Sequence, residues 1–241
     1  LPTGSVRISR LDGPVTELPG FGDGEWWVQD TAASLPARLL GDIAGLAVAD
    51  LCAAPGGKTA QLALAGAHVT AVDSSRNRLR RLEANLARLR LPARIVEADV
   101  AAWKPDAPLD AILLDAPCSS TGTVRRHPDV PWTKSFADVE KLAGVQRRLL
   151  DAALVLLKPG GRLVFCNCSL DPLEGEQLVA AFLAEHDDAV ADPVTPSEHG
   201  WAAPFLTKEG WLRTTPADLD LGDPTLSGMD GFFAARLRRI A

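Results

Sequence analysis

The sequence contains no apolar run near the roughly 18 to 20 residues that a bilayer-spanning helix needs, so it offers no transmembrane segment. The opening stretch, residues 1–24, lacks an apolar core of signal-peptide type and does not start with Met. It reads as the interior of a longer protein, with the cytoplasm as the expected location and no membrane partner. Cysteine is scarce, and Cys52, Cys118, Cys166 and Cys168 include no C-x-x-C pair, so no metal site is expected. Cys166 and Cys168 stand two apart in a strand-like run. They share a face without easily bridging each other, and all four are read as reduced thiols. Positive charge is also short: 25 Lys and Arg against 31 Asp and Glu give a net charge of −6, a mild argument against a nucleic-acid partner.

The basic residues are nonetheless local. Arg76, Arg78, Arg80 and Arg81 crowd one helix, Arg125, Arg126 and His127 one loop, and Arg236, Arg238 and Arg239 the C-terminus. For the first group a solvated helix face is the plainer reading. A length of 241 residues suits one sizeable α/β domain with some decoration.

The middle of the chain alternates strand-like and helix-like segments. Strands are expected at 46–51, 68–72, 94–96, 111–114 and 162–168. Helices are expected at 58–65, 76–90, 137–157 and 173–185. The 76–90 segment carries Leu79, Leu82, Leu86 and Leu89 at helical spacing. Pro159-Gly160-Gly161 should stop the long helix. Such alternation predicts an α/β fold, a doubly wound and mainly parallel sheet with helices on both faces. Residues 210–214 and 231–237 look like strands added antiparallel at one edge, and 189–230 otherwise reads as loop. Ligands of such sheets bind beyond the carboxyl ends of the strands, and the informative residues fall there.

Asp50-Leu51-Cys52-Ala53-Ala54-Pro55-Gly56-Gly57-Lys58-Thr59 is a tight strand-to-helix turn whose small residues let a ligand approach the backbone. It has neither the three glycines of the dinucleotide fingerprint nor P-loop spacing. Asp73 ends the second strand, where a carboxylate can accept from a ribose diol; capping the following helix is its alternative role. Asp99 stands at the third strand's end. The densest information is Asp115-Ala116-Pro117-Cys118-Ser119-Ser120-Thr121-Gly122, together with Phe165-Cys166-Asn167-Cys168-Ser169-Leu170 at another strand end.

On these segments the chain resembles the Sun/Fmu family of RNA cytosine-5 methyltransferases, of the bacterial 16S ribosomal RNA methyltransferase B type. The resemblance runs from Gly20-Phe21 and Val28-Gln29-Asp30 to Asp230-Gly231-Phe232-Phe233. It implies a Rossmann-like domain that binds S-adenosyl-L-methionine and methylates carbon 5 of a cytosine in single-stranded or loop RNA, ribosomal RNA being favoured. By resemblance, Cys52, Ala53, Ala54, Pro55, Gly56, Gly57 and Lys58 form the methyl-donor loop. Asp73, Arg78, Asp99, Val100 and Asp115 complete the cofactor set. Cys168 is implied as the nucleophile, Cys118 as the thiol assisting release, and Asp115 as the acid between cofactor and base. That division suits the chemistry, because carbon 5 becomes nucleophilic only after a thiolate adds at carbon 6. A base must then remove the carbon 5 proton. Two positions depart from the family pattern: Asn167 replaces the usual Thr, and Asp171-Pro172-Leu173-Glu174-Gly175-Glu176 replaces Pro-Glu-Glu-Asn.

Residues 42–241 are expected to form the catalytic domain and 1–41 an N-terminal extension or linker remnant of a longer protein, with a monomer favoured and the oligomeric state open. Cys166 is expected to be structural. Arg125, Arg126 and His127 are read as RNA-backbone contacts, with pairing to Asp129 as the alternative. Trp26, Trp27 and Trp132 are expected to be buried rather than stacked on bases. Competing readings are a small-molecule methyltransferase or nicotinamide enzyme on the same sheet, a ribosome-assembly factor without turnover, and a methyltransferase of transfer RNA.

Overall fold

The computed structural model describes residues 1, 3–8 and 10–240. Apolar runs bounded by turn residues become the strands β1 (Ala47–Leu51), β2 (His68–Asp73), β3 (Arg94–Glu97), β4 (Leu109–Asp115), β5 (Leu157–Asn167), β6 (Ala189–Ala191), β7 (Leu212–Thr214) and β8 (Phe232–Arg239). The helices are α1 (Gly57–Leu64), α2 (Arg76–Leu89), α3 (Val130–Thr133), α4 (Phe136–Val155) and α5 (Glu176–Glu185). The sheet order is β3-β2-β1-β4-β5-β8-β6, with β7 also on β8. Strands β1 to β5 pair in parallel; β8 runs antiparallel to β5 and carries β6 and β7 antiparallel to itself. The doubly wound sheet expected from the sequence is therefore present, and its antiparallel end holds three strands, β6 and β7 sharing the outer edge of β8.

Central strands are buried on both faces, which is why they read as nearly continuous apolar runs. Leu51, Ile112, Leu114 and Phe165 point toward α4 and α5, while Val48, Leu113 and Val164 point to the opposite core. That second core is closed by Ala32, Leu35, Leu39 and Leu40 from two 3-10 turns ahead of β1. The α2 stripe Leu79, Leu82, Leu86 and Leu89 is buried against Ala53, Ala54, Ala60 and Ala71, each leucine contributing about 1.5–3 kcal/mol. Gly56 is required beneath it: its φ is +101° and a Cβ would lie 2.9 Å from Leu82 Cγ.

Ser75 caps α2 by accepting from the Arg78 N–H, and Arg90 closes it in the left-handed conformation, φ +56°. A Ser135–Asp138 capping box opens α4. This helix stops at Val155, two residues short of expectation, because Leu157 already pairs with Leu109 to begin β5. The 158–161 turn then bulges out before Arg162 resumes the ladder opposite Ala111. The expected 173–185 helix is broken at Gly175 into a 3-10 turn (Pro172–Glu174) and α5. Strand β6 lies in the stretch read as loop; three residues are too few to show a period. No described helix is long and apolar enough to cross a membrane.

Candidate active site

Two clefts open beyond the carboxyl ends of β1, β2, β4 and β5, and the β1–α1 loop is the partition between them. One, of about 370 Å³, is lined by Cys52, Ala54, Asp73, Arg78, Asp99, Val100, Asp115, Cys118 and Cys168, with Pro117, Val145 and Leu149 as apolar walls. The other, of about 530 Å³, is lined by Ala53, Pro55, Gly56, Gly57 and Lys58 and walled by Phe21, Trp27 and Val28. Both volumes lie within the roughly 300–1,000 Å³ of small-molecule sites. Asp115 and Cys168 are the two residues that line both clefts. The loop assigned as a unit to the methyl donor thus divides by position: Cys52 and Ala54 face the smaller cleft, the other five the larger.

Cys52 makes the sharp exit from β1 with φ +62°, a left-handed conformation uncommon for a residue with a side chain. The Ala53 N–H then donates to Val72 O at 3.1 Å, locking the turn to β2. Asp73 is fully buried. Its carboxylate accepts from Ala54 N (3.2 Å), Ser75 N (2.8 Å) and both ways from Arg78 Nη2 (2.8 and 2.9 Å). The helix cap is Ser75 rather than Asp73, whose carboxylate instead ties the loop ends together. Asp99 is exposed at the rim, accepting from Ala101 N at 3.0 Å.

Between the clefts, Lys58 Nζ donates to Asp115 Oδ2 at 2.7 Å and the Cys166 thiol to Asp115 Oδ1 at 3.6 Å. The Lys58 ammonium also lies 4.9 Å from the Phe232 ring centroid. Burial works to neutralise this lysine, but Asp115 outweighs it and holds the ammonium above the ordinary lysine pKa. Cys166 is buried, as expected, and in addition steadies Asp115.

Cys118 Sγ and Cys168 Sγ stand 3.5 Å apart, with Ser120 Oγ 3.6 Å from Cys168 and 3.9 Å from Cys118. The hydrogen bond from the Cys118 thiol lowers the Cys168 pKa against the effect of burial, and the Ser120 hydroxyl helps. Cys118 is pushed well above an ordinary thiol by the same hydrogen bond and by burial. Burial also pushes Cys166 well up and Cys52 to about 12. Of the four cysteines, Cys168 alone is shifted toward the thiolate, the reactive form.

A buried polar frame fixes this pair, and the sequence did not reveal it. Glu174, fully buried, accepts from Ser119 N (2.9 Å), Ser119 Oγ (2.5 Å) and Gln146 Nε2 (2.9 Å). Asn167 faces away from the thiols, donating to Glu174 O (2.6 Å) and accepting from Ser169 N (3.0 Å). It ties the Cys168 loop to the same frame, so the departure from Thr leaves Cys168 anchored. The Gly122 N–H donates to Cys168 O at 2.9 Å. A Cβ on Gly122 would meet Gly231 O at 2.0 Å, so only glycine allows the loops to meet. The one sequence signal was Gln146, a polar residue seven positions after Val139 on the buried face of α4.

Several residues of the basic clusters have acidic partners on the protein. Arg126 forms a bidentate pair with Asp230, and Arg125 lies 3.6 Å from Asp30; neither pairs with Asp129. Arg236 is buried against Glu198 and Asp192, and is structural. Trp26 and Trp27 are half-buried, donating to Pro19 O and Gln29 Oε1. Trp132 corrects the expectation of burial: it is 89% exposed on α3, directly after the arginine loop.

Asp50, at the end of β1, accepts from Thr59 Oγ1 at 2.6 Å, while its other oxygen has no hydrogen-bond partner among the described residues. Burial raises its pKa from 3.8 to about 7. Between those values the folded protein binds a proton that the unfolded chain has lost, so stability falls as pH rises, by about 4 kcal/mol over the window. Asp50→Asn keeps the acceptor for Thr59 and should remove that slope. Urea midpoints from pH 4 to pH 8 are expected to show the variant's advantage growing with pH; parallel curves would refute the raised pKa.

The sequence model of the 16S rRNA methyltransferase RsmB/F family matches residues 40–238. The chain is 45% identical over 235 residues to a ribosomal RNA small subunit methyltransferase B of Erwinia tasmaniensis, covering 95% of this chain and 51% of that protein. It is 46% identical over 180 residues to that of Serratia proteamaculans, covering 73% and 42%. The chain therefore spans about half the length of these curated relatives. Among solved structures, NSun6 from Pyrococcus horikoshii with SFG superposes with a TM-score of 0.78 at 28% identity, covering 95% of this chain and 57% of that one. PH0851 superposes at 0.80 and 30% identity, covering 94% and 50%.

Proposed function

Because the chain belongs to the 16S rRNA methyltransferase RsmB/F family, we propose that it is the catalytic part of an S-adenosylmethionine-dependent enzyme that methylates carbon 5 of a cytosine in 16S ribosomal RNA, in the cytoplasm. The observation that carries this reading is the thiol pair, 3.5 Å apart, beside an Asp115–Lys58 pair at the junction of two clefts. Residues 42–241 would be the catalytic domain, and 1–41 an extension of a longer protein that walls the larger cleft with Phe21, Trp27 and Val28.

The smaller cleft suits the cofactor by its donor set. Asp73 and Asp99 offer acceptors for ribose hydroxyls, and Val100, Pro117, Val145 and Leu149 form an apolar slot for a flat purine. A structural relative solved with SFG, an S-adenosylmethionine analogue, supports the assignment. Arg78 holds Asp73 in place, so the diol would share that carboxylate with the guanidinium. When bound, the cofactor supplies an electrophilic methyl group. The cytosine would enter from the larger cleft, where Cys168 and Asp115 face both sides.

Cys168, the more acidic thiol, adds to carbon 6 and makes carbon 5 nucleophilic. The Asp115–Lys58 pair holds a proton toward N3 as negative charge builds on the ring. With the cofactor bound, its methyl group would be available to carbon 5, which afterwards carries a hydrogen that has to be removed. Once Cys168 is bound to carbon 6, Cys118, 3.5 Å away, gives its own proton to solvent and as thiolate takes the carbon 5 proton, and Cys168 leaves as thiolate.

A 16S RNA fragment and a transfer RNA, each carrying 5-fluorocytidine, would test the reading. A covalent adduct mapped to the Cys168 peptide with the 16S fragment is expected. An adduct with the transfer RNA alone would reassign the substrate, and none with either would reject the chemistry. Exposed Trp132, beyond the arginine loop, is placed to stack on an unpaired base. Trp132→Ala should weaken RNA binding about tenfold, stacking being worth about 1–3 kcal/mol, with Trp132→Phe restoring most of it. Unchanged affinity by filter binding would remove Trp132 from the interface.

A further inference from the structure

Enzymes that use two thiols in sequence need them close, and closeness opens a second chemistry. In this chain no atom separates the sulfurs: Cys118 Sγ and Cys168 Sγ share a hydrogen bond at 3.5 Å. A disulfide needs about 2.05 Å, so the sulfurs have to close by about 1.5 Å, a distance within reach of side-chain rotation. The backbones carrying them are already joined through Gly122 N to Cys168 O at 2.9 Å, and Ser119 and Ser169 hydroxyls meet at 3.2 Å alongside. Both sulfurs line the smaller cleft, so a small solute can reach them. Cys166 is fully buried behind Asp115, while Cys52 lines the cleft and has no sulfur contact like that of the pair.

We propose that Cys118 and Cys168 form a reversible oxidation site for hydrogen peroxide, closing to a Cys118–Cys168 disulfide that silences the nucleophile. In the first step the Cys168 sulfur attacks one peroxide oxygen. The O–O bond breaks, Cys168 is left as a sulfenic acid, and the departing oxygen leaves as water with the thiol's proton. In the second, Cys118 Sγ attacks Cys168 Sγ, the S–O bond breaks, and the hydroxyl leaves as water with the Cys118 proton. Two thiols are oxidised by two electrons in all, and one peroxide is reduced to two waters. The lowered Cys168 thiol pKa favours the first step. The adjacent thiol makes the second faster than further oxidation to sulfinic acid, so the pair is protected from irreversible damage. The loss of methyl transfer on oxidation rests on the function proposed above; the oxidation itself does not.

The experiment treats the purified, fully reduced chain with one equivalent of hydrogen peroxide and maps its cysteines by peptide mass spectrometry. The expected result is a fall from four alkylatable thiols to two, a mass lower by two hydrogens, and one cross-linked species joining the Cys118 and Cys168 peptides. Dithiothreitol should restore all four. Cys118→Ser should instead carry Cys168 on to sulfinic acid under the same treatment. A wild-type chain that gains oxygen at Cys168 while Cys118 stays alkylatable would overturn the proposal, as would a disulfide through Cys52. None of these readouts involves RNA or methyl transfer, so a failed methylation reading leaves this test intact, and a failed cross-link leaves that reading intact.

Discussion

Cys168→Ala is expected to abolish methyl transfer, by at least about 10⁴-fold, since no other group at the site can form the bond to carbon 6. Cys118 cannot take over: with its hydrogen bond to Cys168 gone, burial still raises its thiol pKa, so little of it is thiolate near neutrality. Cofactor affinity should change little, because the cleft's acceptors Asp73 and Asp99 and its apolar wall are untouched. Titration calorimetry with S-adenosylhomocysteine, beside a tritium-transfer assay on 16S RNA, separates these effects. Retained turnover would remove Cys168 as the nucleophile. Lost cofactor binding would mean that the substitution damaged the cleft.

The same hydrogen bond makes Cys168 titrate early. Its pKa is lowered first by the Cys118 thiol and then by Ser120, against burial. Alkylation of Cys168 should therefore reach its plateau at a lower pH than an ordinary thiol's.

What the sequence disclosed was what is written locally. The α2 stripe and the apolar runs of β1 and β4 depend on neighbours along the chain, and each folded near its expected bounds, whereas α4 ended before Pro159-Gly160-Gly161 because β5 begins at Leu157. The two cysteine loops could be found because they are dense and stand at strand ends. The partnerships across the sheet could not. Lys58 was grouped with the methyl-donor loop by position, yet its ammonium crosses to Asp115, 57 residues on. Glu174 was visible only as a departure from a family pattern; its function as the acceptor joining Ser119 to Gln146 depends on three segments meeting. Nor did the 1–41 stretch disclose that Phe21, Trp27 and Val28 would wall a cleft, since an irregular segment carries no period. Trp132 shows the converse error. A tryptophan is ordinarily at least partly covered, so burial was the reasonable expectation, and only the short α3 helix leaves it bare.

The second large effect concerns release. With Cys118→Ala the attack on carbon 6 should persist, because Cys168, Ser120 and the Asp115–Lys58 pair remain. Losing the Cys118 hydrogen bond will slow that attack by raising the Cys168 pKa, an effect of one weak sulfur contact. The loss at the later step is larger in kind. Among the described residues no other base lies in contact with Cys168: Ser120 is a hydroxyl, and Asp115 is occupied by Lys58 and Cys166. The methylated adduct should therefore form and remain, appearing as protein-bound RNA on a denaturing gel. The wild-type chain should show little of this species. The Cys118→Ala, Cys168→Ala double variant should show none, which tests whether the trapped bond runs through Cys168. A Cys118→Ala enzyme that yields free 5-methylcytosine at the wild-type rate would mean that another group takes the carbon 5 proton. The 3.5 Å spacing would then serve the oxidation chemistry without serving turnover.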